Sequence, residues 1–247
     1  MRHDPLSRVR PAGPVNSRRA VARHAVADGT LVMLAGTVVA GLATYAWHAA
    51  AARVLGEVAF APVASVWTLM FLMITVLIAP VEQYAIRTVA AAGGDRTQLR
   101  GAMPTIGRLA AGATAVVAGV TWVLREQLFD GDAAYVAVCA AILLGFGQLA
   151  IIRGVLAGER DFAAYGWITG LDSCLRLAVG VPILLGGASA LALAWTVPAC
   201  SLVALGWLRR RPGGEPWPGD GPDEEAAGAG PGRFIAHTVG GTVPSQV

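Results

Sequence analysis

The 247-residue chain contains no lysine: all 19 basic residues are arginine. That absence excludes a P-loop, which needs a Gly-Lys-Ser/Thr step, and any chemistry through a lysine Schiff base. Cysteine is scarce too. Cys139, Cys174 and Cys200 sit in apolar runs without CxxC spacing, so they read as small buried hydrophobes rather than a disulfide framework or zinc site. There is no HExxH or GxSxG segment, and His3, His24, His48 and His237 lack metal-ligand spacing. Neither enzymatic chemistry nor a metal or cofactor is therefore expected. Charged residues make up only 14% of a chain that is 55% hydrophobic, which excludes a disordered or collagen-like protein.

What is present is a series of apolar runs, each near the roughly 20 residues that a helix needs to cross a bilayer. They fall at about 30–51, 60–80, 103–124, 133–152, 163–186 and 189–208, predicting an all-α membrane protein built as a six-transmembrane-helix bundle. Ser17-Arg18-Arg19 before the first run resembles a twin-arginine leader, but the run is too long and five more follow, so an uncleaved helix is expected. The arginines then set the orientation. Arg2, Arg8, Arg10, Arg18, Arg19 and Arg23 precede the first run; Arg87, Arg96, Arg100 and Arg108 flank the second connection. Arg153 and Arg160 lie in the fourth connection, and Arg209, Arg210, Arg211 and Arg233 follow the sixth run, whereas the alternate connections hold only Arg53 and Arg125. Positive charge is retained inside, so both termini are expected in the cytoplasm.

These features divide the chain into a basic tail (1–28), a six-helix lobe (29–211), a Pro/Gly/acidic linker (212–232) and the start of a truncated seventh helix (233–247). Ala35-Gly36-Thr37-Val38 is echoed by Gly240-Gly241-Thr242-Val243, as in a repeat starting afresh.

Ionisable residues at membrane depth are costly, on the order of 3 kcal/mol each at a helix centre, and seldom face lipid. Asp172 and Arg176 stand four apart in the fifth run and share a helical face, while Gly166 and Gly170 form another face suited to close helix packing. The pair either cancels itself so that the helix can insert, or Arg176 attracts an anionic group while Asp172 holds it in place. Thr37, Gly41, Thr44 and His48 form a polar stripe in the first run; Ser65, Thr68, Thr75 and Glu82 share an arc in the second. Three such faces predict a shared water-filled interior. Arg53 to Glu57 and Arg153 to Arg160 are expected to be tight Arg/Gly turns suited to phosphate groups, and Trp47, Trp67, Trp122, Trp167 and Trp207 interfacial anchors.

Three segments resemble the polysaccharide and oligosaccharide flippases of the multidrug/oligosaccharidyl-lipid/polysaccharide exporter superfamily, in particular Wzx-like lipopolysaccharide biosynthesis proteins. They are Ala52-Arg53-Val54-Leu55-Gly56 with Phe60; Pro80-Val81-Glu82-Gln83-Tyr84-Ala85-Ile86-Arg87; and Arg153-Gly154-Val155-Leu156-Ala157-Gly158-Glu159-Arg160-Asp161-Phe162 running into Leu171 to Leu177. The resemblance covers about residues 28 to 208, one lobe of a family that works with two. It implies alternating access for a lipid-linked glycan in a bacterial plasma (inner) membrane, with the lipid bilayer and a second six-helix lobe or homodimer as partners and no nucleic acid. The substrate-path candidates are Asp172, Arg176, Arg53, Arg87, Glu82, Thr37, Thr44, His48 and Arg153. A drug/cation antiporter of the same superfamily and a non-transporting membrane scaffold or remnant half are the alternatives.

Overall fold

The computed structural model describes residues 14–202, with side chains from Gly29 onward. The linker and seventh-helix readings, Trp207 and the end of the sixth run lie outside the described residues. The elements are α1 (Pro14–Met73), a π-helical turn (Ile74–Ile78), α2 (Ala79–Ala91), α3 (Thr97–Val123), the short α4 (Arg125–Phe129), α5 (Ala134–Gly158), α6 (Phe162–Leu185) and α7 (Ala190–Ser201). There is no strand among the described residues, and four runs are long and apolar enough to cross a bilayer: 29–91, α3, α5 and α6. The chain is an all-α membrane protein.

The longest of these runs is two arms rather than one rod. Gly56 breaks α1 with φ 74° and ψ 172°, a conformation that only glycine adopts without strain. A straight helix would hold His48 and Trp67 about 28 Å apart. Their ring centroids are 4.2 Å apart, so the arm after Gly56 folds back along the arm before it. The second arm then passes through the π turn, where the Ala79 N–H donates to the Ile74 carbonyl. Pro80 follows at once; it has no amide for the carbonyl four residues back, and the wider turn relieves its ring.

Helix ends are set by local chemistry. Arg160, at φ 60°, stops α5, and the Asp161 carboxylate caps α6 by accepting from the Ala164 N–H at 3.0 Å. Asp130 and Gly131, both at positive φ, end α4. Ser189 caps α7 through the Ala192 N–H. Only twelve residues of α7 are described, fewer than the expected sixth run.

α5 lies at the centre and is buried on most sides, which is why it is apolar all round. Two glycine seams bring helices close. A Cβ on Gly36 would lie 2.2 Å from the Gly166 carbonyl oxygen, and one on Gly166 would lie 2.6 Å from Met33 Cα, so α1 and α6 touch backbone to backbone. On the other side of the bundle, a Cβ on Gly154 would lie 2.8 Å from the Glu82 carbonyl and one on Gly158 3.0 Å from that of Ile86. This second seam overturns one reading: Arg153 to Gly158 is not a tight turn but the last stretch of α5, because these glycines are needed for contact with α2.

Candidate functional site: a buried polar column

The site is built on one face of α6. Tyr165, Thr169, Asp172 and Arg176 recur at i, i+4, i+7 and i+11, which places them within about 60° of one another around the helix. Packing of a second face, about 110° around the helix, through Gly166 and Gly170 against the first arm of α1 sets the rotation that buries this one. Asp172 is 8% and Arg176 3% exposed, and the Arg176 Nη2 donates to Asp172 Oδ2 at 2.5 Å. The guanidinium carbon stands 5.6 Å from the Trp67 ring and 5.5 Å from the Phe146 ring, so two aromatic faces complete its surroundings.

Two helical turns away, Tyr165 leads into a second cluster. Its hydroxyl donates to Glu82 Oε1 at 3.0 Å, while Arg153 Nη2 donates to Glu82 Oε2 at 2.8 Å. Glu82 thus ties α2 to α5 and α6 with both carboxylate oxygens satisfied. Arg153 also lies within electrostatic reach of Asp172, and Arg176 within reach of His48. On α1, the His48 Nδ1 is 2.9 Å from the Thr44 carbonyl, and its ring lies edge-on to Trp67 and Trp47. The result is a column of polar groups running through the bundle, with its acids and arginines matched two to two.

The matching is incomplete at the level of atoms. Trp47 Nε1, His48 Nε2, Arg153 Nε, Asp172 Oδ1 and Arg176 Nε are all buried with no hydrogen-bond partner among the described residues. Buried polar groups are normally satisfied, so these five atoms are hydrogen-bonding capacity that the described residues leave unmet.

Of the nine expected residues, the structure brings Asp172, Arg176, Glu82, Arg153, Thr44 and His48 into this column or onto its edge. It leaves three outside. Arg53 is exposed beside the Gly56 break, Arg87 is exposed on α2, and Thr37 is exposed with its hydroxyl donating to the Met33 carbonyl. Thr68 and Thr75 behave as Thr37 does, bonding the carbonyls of Ala64 and Phe71. The expected arc from Ser65 to Glu82 is therefore split, because the π turn, which contains Thr75 and ends before Glu82, shifts the helical register. Trp47 is likewise no interfacial anchor: it is 1% exposed and seated on Gly180. Trp122 and Trp167, by contrast, are exposed. Tyr165 escaped the sequence reading, although its spacing from Asp172 was a signal that could have found it.

Among the described residues no group of three or more His, Cys, Asp or Glu side chains is placed to hold a metal. Comparison with protein-family models, curated proteins and solved structures finds no match to the chain.

Proposed function

We propose that this chain is one six-helix lobe of a flippase or exporter for lipid-linked oligosaccharide or polysaccharide precursors, working by alternating access in a bacterial inner membrane with both termini in the cytoplasm. One observation carries the reading: an arginine and a carboxylate at the middle of α6, nearly sealed from solvent, each with a polar atom left unpartnered. An ion pair serving only to neutralise itself for insertion has no need of a second cluster, Glu82–Arg153–Tyr165, on the same face. In the proposed cycle, Arg176 exchanges its bond to Asp172 for one to a diphosphate or acidic sugar, and Asp172 restores the resting state. Arginine suits that exchange because its planar fork matches phosphate oxygens. A second lobe, from another chain or a second copy, supplies the facing wall, and an ion gradient or consumption of product outside supplies the energy.

Both interior acids, Asp172 and Glu82, are already held by arginines. That favours an anionic cargo over the cationic one of a drug antiporter, which calls for an uncompensated carboxylate. The test is a flipping assay in a reconstituted two-lobe system, comparing wild type with Arg176→Ala and Asp172→Ala at equal folded protein. Loss of glycan-lipid translocation in both variants is expected. Unchanged transport by both removes the pair from the mechanism.

A further inference from the structure

Away from the polar column, α3 parts from the rest of the bundle and leaves a second feature. Near its start, Leu99, Ala102 and Ile106 pack against Ala85, Val89 and Val155; farther along, Ala113 and Val117 rejoin the main core. Between these two contacts α3 stands off, and a cavity of about 390 Å³ opens among Leu77 and Ile78 of the π turn, Gly107 and Ala110 of α3, and Gly147 and Gln148 of α5. Its size is that of a small-molecule site.

The glycines here behave unlike those of the helix seams. A Cβ on Gly36, Gly154, Gly158 or Gly166 would strike a neighbouring backbone, whereas one on Gly107 or Gly147 would meet nothing within 4 Å. Glycine is the least favourable residue of a helix interior after proline. At Gly107 and Gly147 no close contact offsets that cost; their effect is to keep the space open. The π turn in the wall is a second departure from regular helix, of a kind that recurs at functional sites.

The lining selects its occupant. None of the fourteen lining residues is ionisable, so a charged group would have to be stripped of its solvent with nothing to compensate. One amide stands in the apolar wall. Gln148 is exposed and has no hydrogen-bond partner among the described residues. About 15 Å of helix separates it from the end of α5 at Gly158, which places it deep in the bilayer. A free amide at that depth costs several kcal/mol unless something bonds it.

We infer that this cavity binds an uncharged, membrane-dissolved molecule with an apolar body and a single hydroxyl or carbonyl, its body between α3 and α5 and its polar group on the Gln148 amide. The complementarity is one of charge and polarity together. A plain lipid tail leaves Gln148 unsatisfied, and an ion has no counter-charge. The site is separate from the polar column and stands whether or not the transport reading holds.

The full chain reconstituted in phosphatidylcholine vesicles provides the test, with hexadecanol carrying a mid-chain diazirine as probe and the corresponding diazirine hydrocarbon as control. On photolysis the alcohol is expected to label the segments 77–81, 103–113 and 143–151 above all others, and about fivefold more than the hydrocarbon does, the size of one hydrogen bond. Gln148→Leu should bring the alcohol down to the hydrocarbon's level. Gly147→Leu and Gly107→Leu should depress both probes, with circular dichroism confirming that the helices persist. Equal labelling by the two probes with no effect of Gln148→Leu overturns the inference, as does labelling spread evenly over all exposed faces. A photolysis product joining two copies through α5 overturns it too, by showing that a second chain fills the space.

Discussion

Arg176 and Asp172 occupy successive turns of α6, with Nη2 and Oδ2 2.5 Å apart and both side chains buried. The bond is local in sequence, yet its surroundings come from other elements, Trp67 of α1 and Phe146 of α5. Removing one partner strands the other as an unpaired buried charge, which costs about 3–5 kcal/mol, whereas removing both leaves a neutral and poorly filled site. Asp172→Asn and Arg176→Met should therefore each lower stability in detergent by about that amount. The double variant should lie closer to wild type than either single one. A thermal-melt double-mutant cycle measures this; additive losses would show that the two groups are not coupled.

The crossing of α1 and α6 permits a sharper test, because it is limited by backbone rather than by side chains. Gly36→Ala places a methyl 2.2 Å from the Gly166 carbonyl oxygen, and neither helix can yield locally. Overpacking ordinarily costs about 1–3 kcal/mol, and contact with main-chain atoms puts Gly36→Ala at or above the top of that range. Gly41→Ala, five residues on, meets nothing within 4 Å and should be neutral or slightly stabilising through better helix propensity. Folded yield and melting temperature of the two variants, measured together, separate seam from open surface.

Much of this arrangement was written into short-range spacing. Asp172 and Arg176 share a face, and Gly166 and Gly170 another, by arithmetic within one helix, and the break after Arg53 needed only Gly56. The bonds that complete the column were not readable in this way. Arg153 and Tyr165 reach Glu82 across 71 and 83 residues, from helices whose mutual rotation depends on packing. Gly154 and Gly158 looked like turn residues because glycine in isolation disfavours helix; only contact with α2 reveals why a helix keeps them. The same applies to Trp47, whose amphipathic ring suits an interface and is instead buried against Gly180. The split of the Ser65-to-Glu82 arc follows from a π turn that periodicity of 3.6 cannot represent.

At the membrane surface, the α2–α3 and α5–α6 connections are joined by a bidentate pair, with Arg96 Nη2 donating to Glu159 Oε2 at 2.8 Å and Nε to Oε1. The hydrogen bond to Glu159 holds the Arg96 guanidinium above its ordinary arginine value. A raised value means that this stabilisation is fully present below the ordinary arginine range and is lost only as pH climbs through the higher one, so titration of Arg96 adds no pH dependence between 6 and 9. The neighbouring Asp95 has the opposite sign. Hydrogen bonds from the Thr97 side chain and backbone hold its carboxyl below the usual range, so its contribution is present above that range and fades as pH falls through the lowered value. The protection factor of the Thr97 amide, taken against its intrinsic exchange rate at each pH, should accordingly fall only in acid, and Asp95→Asn should remove that acid dependence while leaving the Arg96–Glu159 bond unchanged. Loss of protection beginning near neutral pH would contradict the assignment.

The reversal at Gly56 determines whether residues 29–91 form two crossings or one overlong rod. Its φ of 74° with ψ of 172° lies where a side chain costs about 1–3 kcal/mol, although there is open space around the position. The penalty of Gly56→Ala is thus conformational and not steric, which yields a distinctive pattern. Alanine and serine should destabilise the chain by similar amounts despite their different sizes, because both carry a Cβ. The loss should appear at the contact that depends on the reversal, the approach of His48 and Trp67 rings at 4.2 Å. A cysteine pair introduced at Thr44 and Phe71, beyond those rings on each arm, would report it through crosslinking yield. Gly56→Ala should lower that yield, and a yield equal to wild type would show that the arms are held together by packing alone.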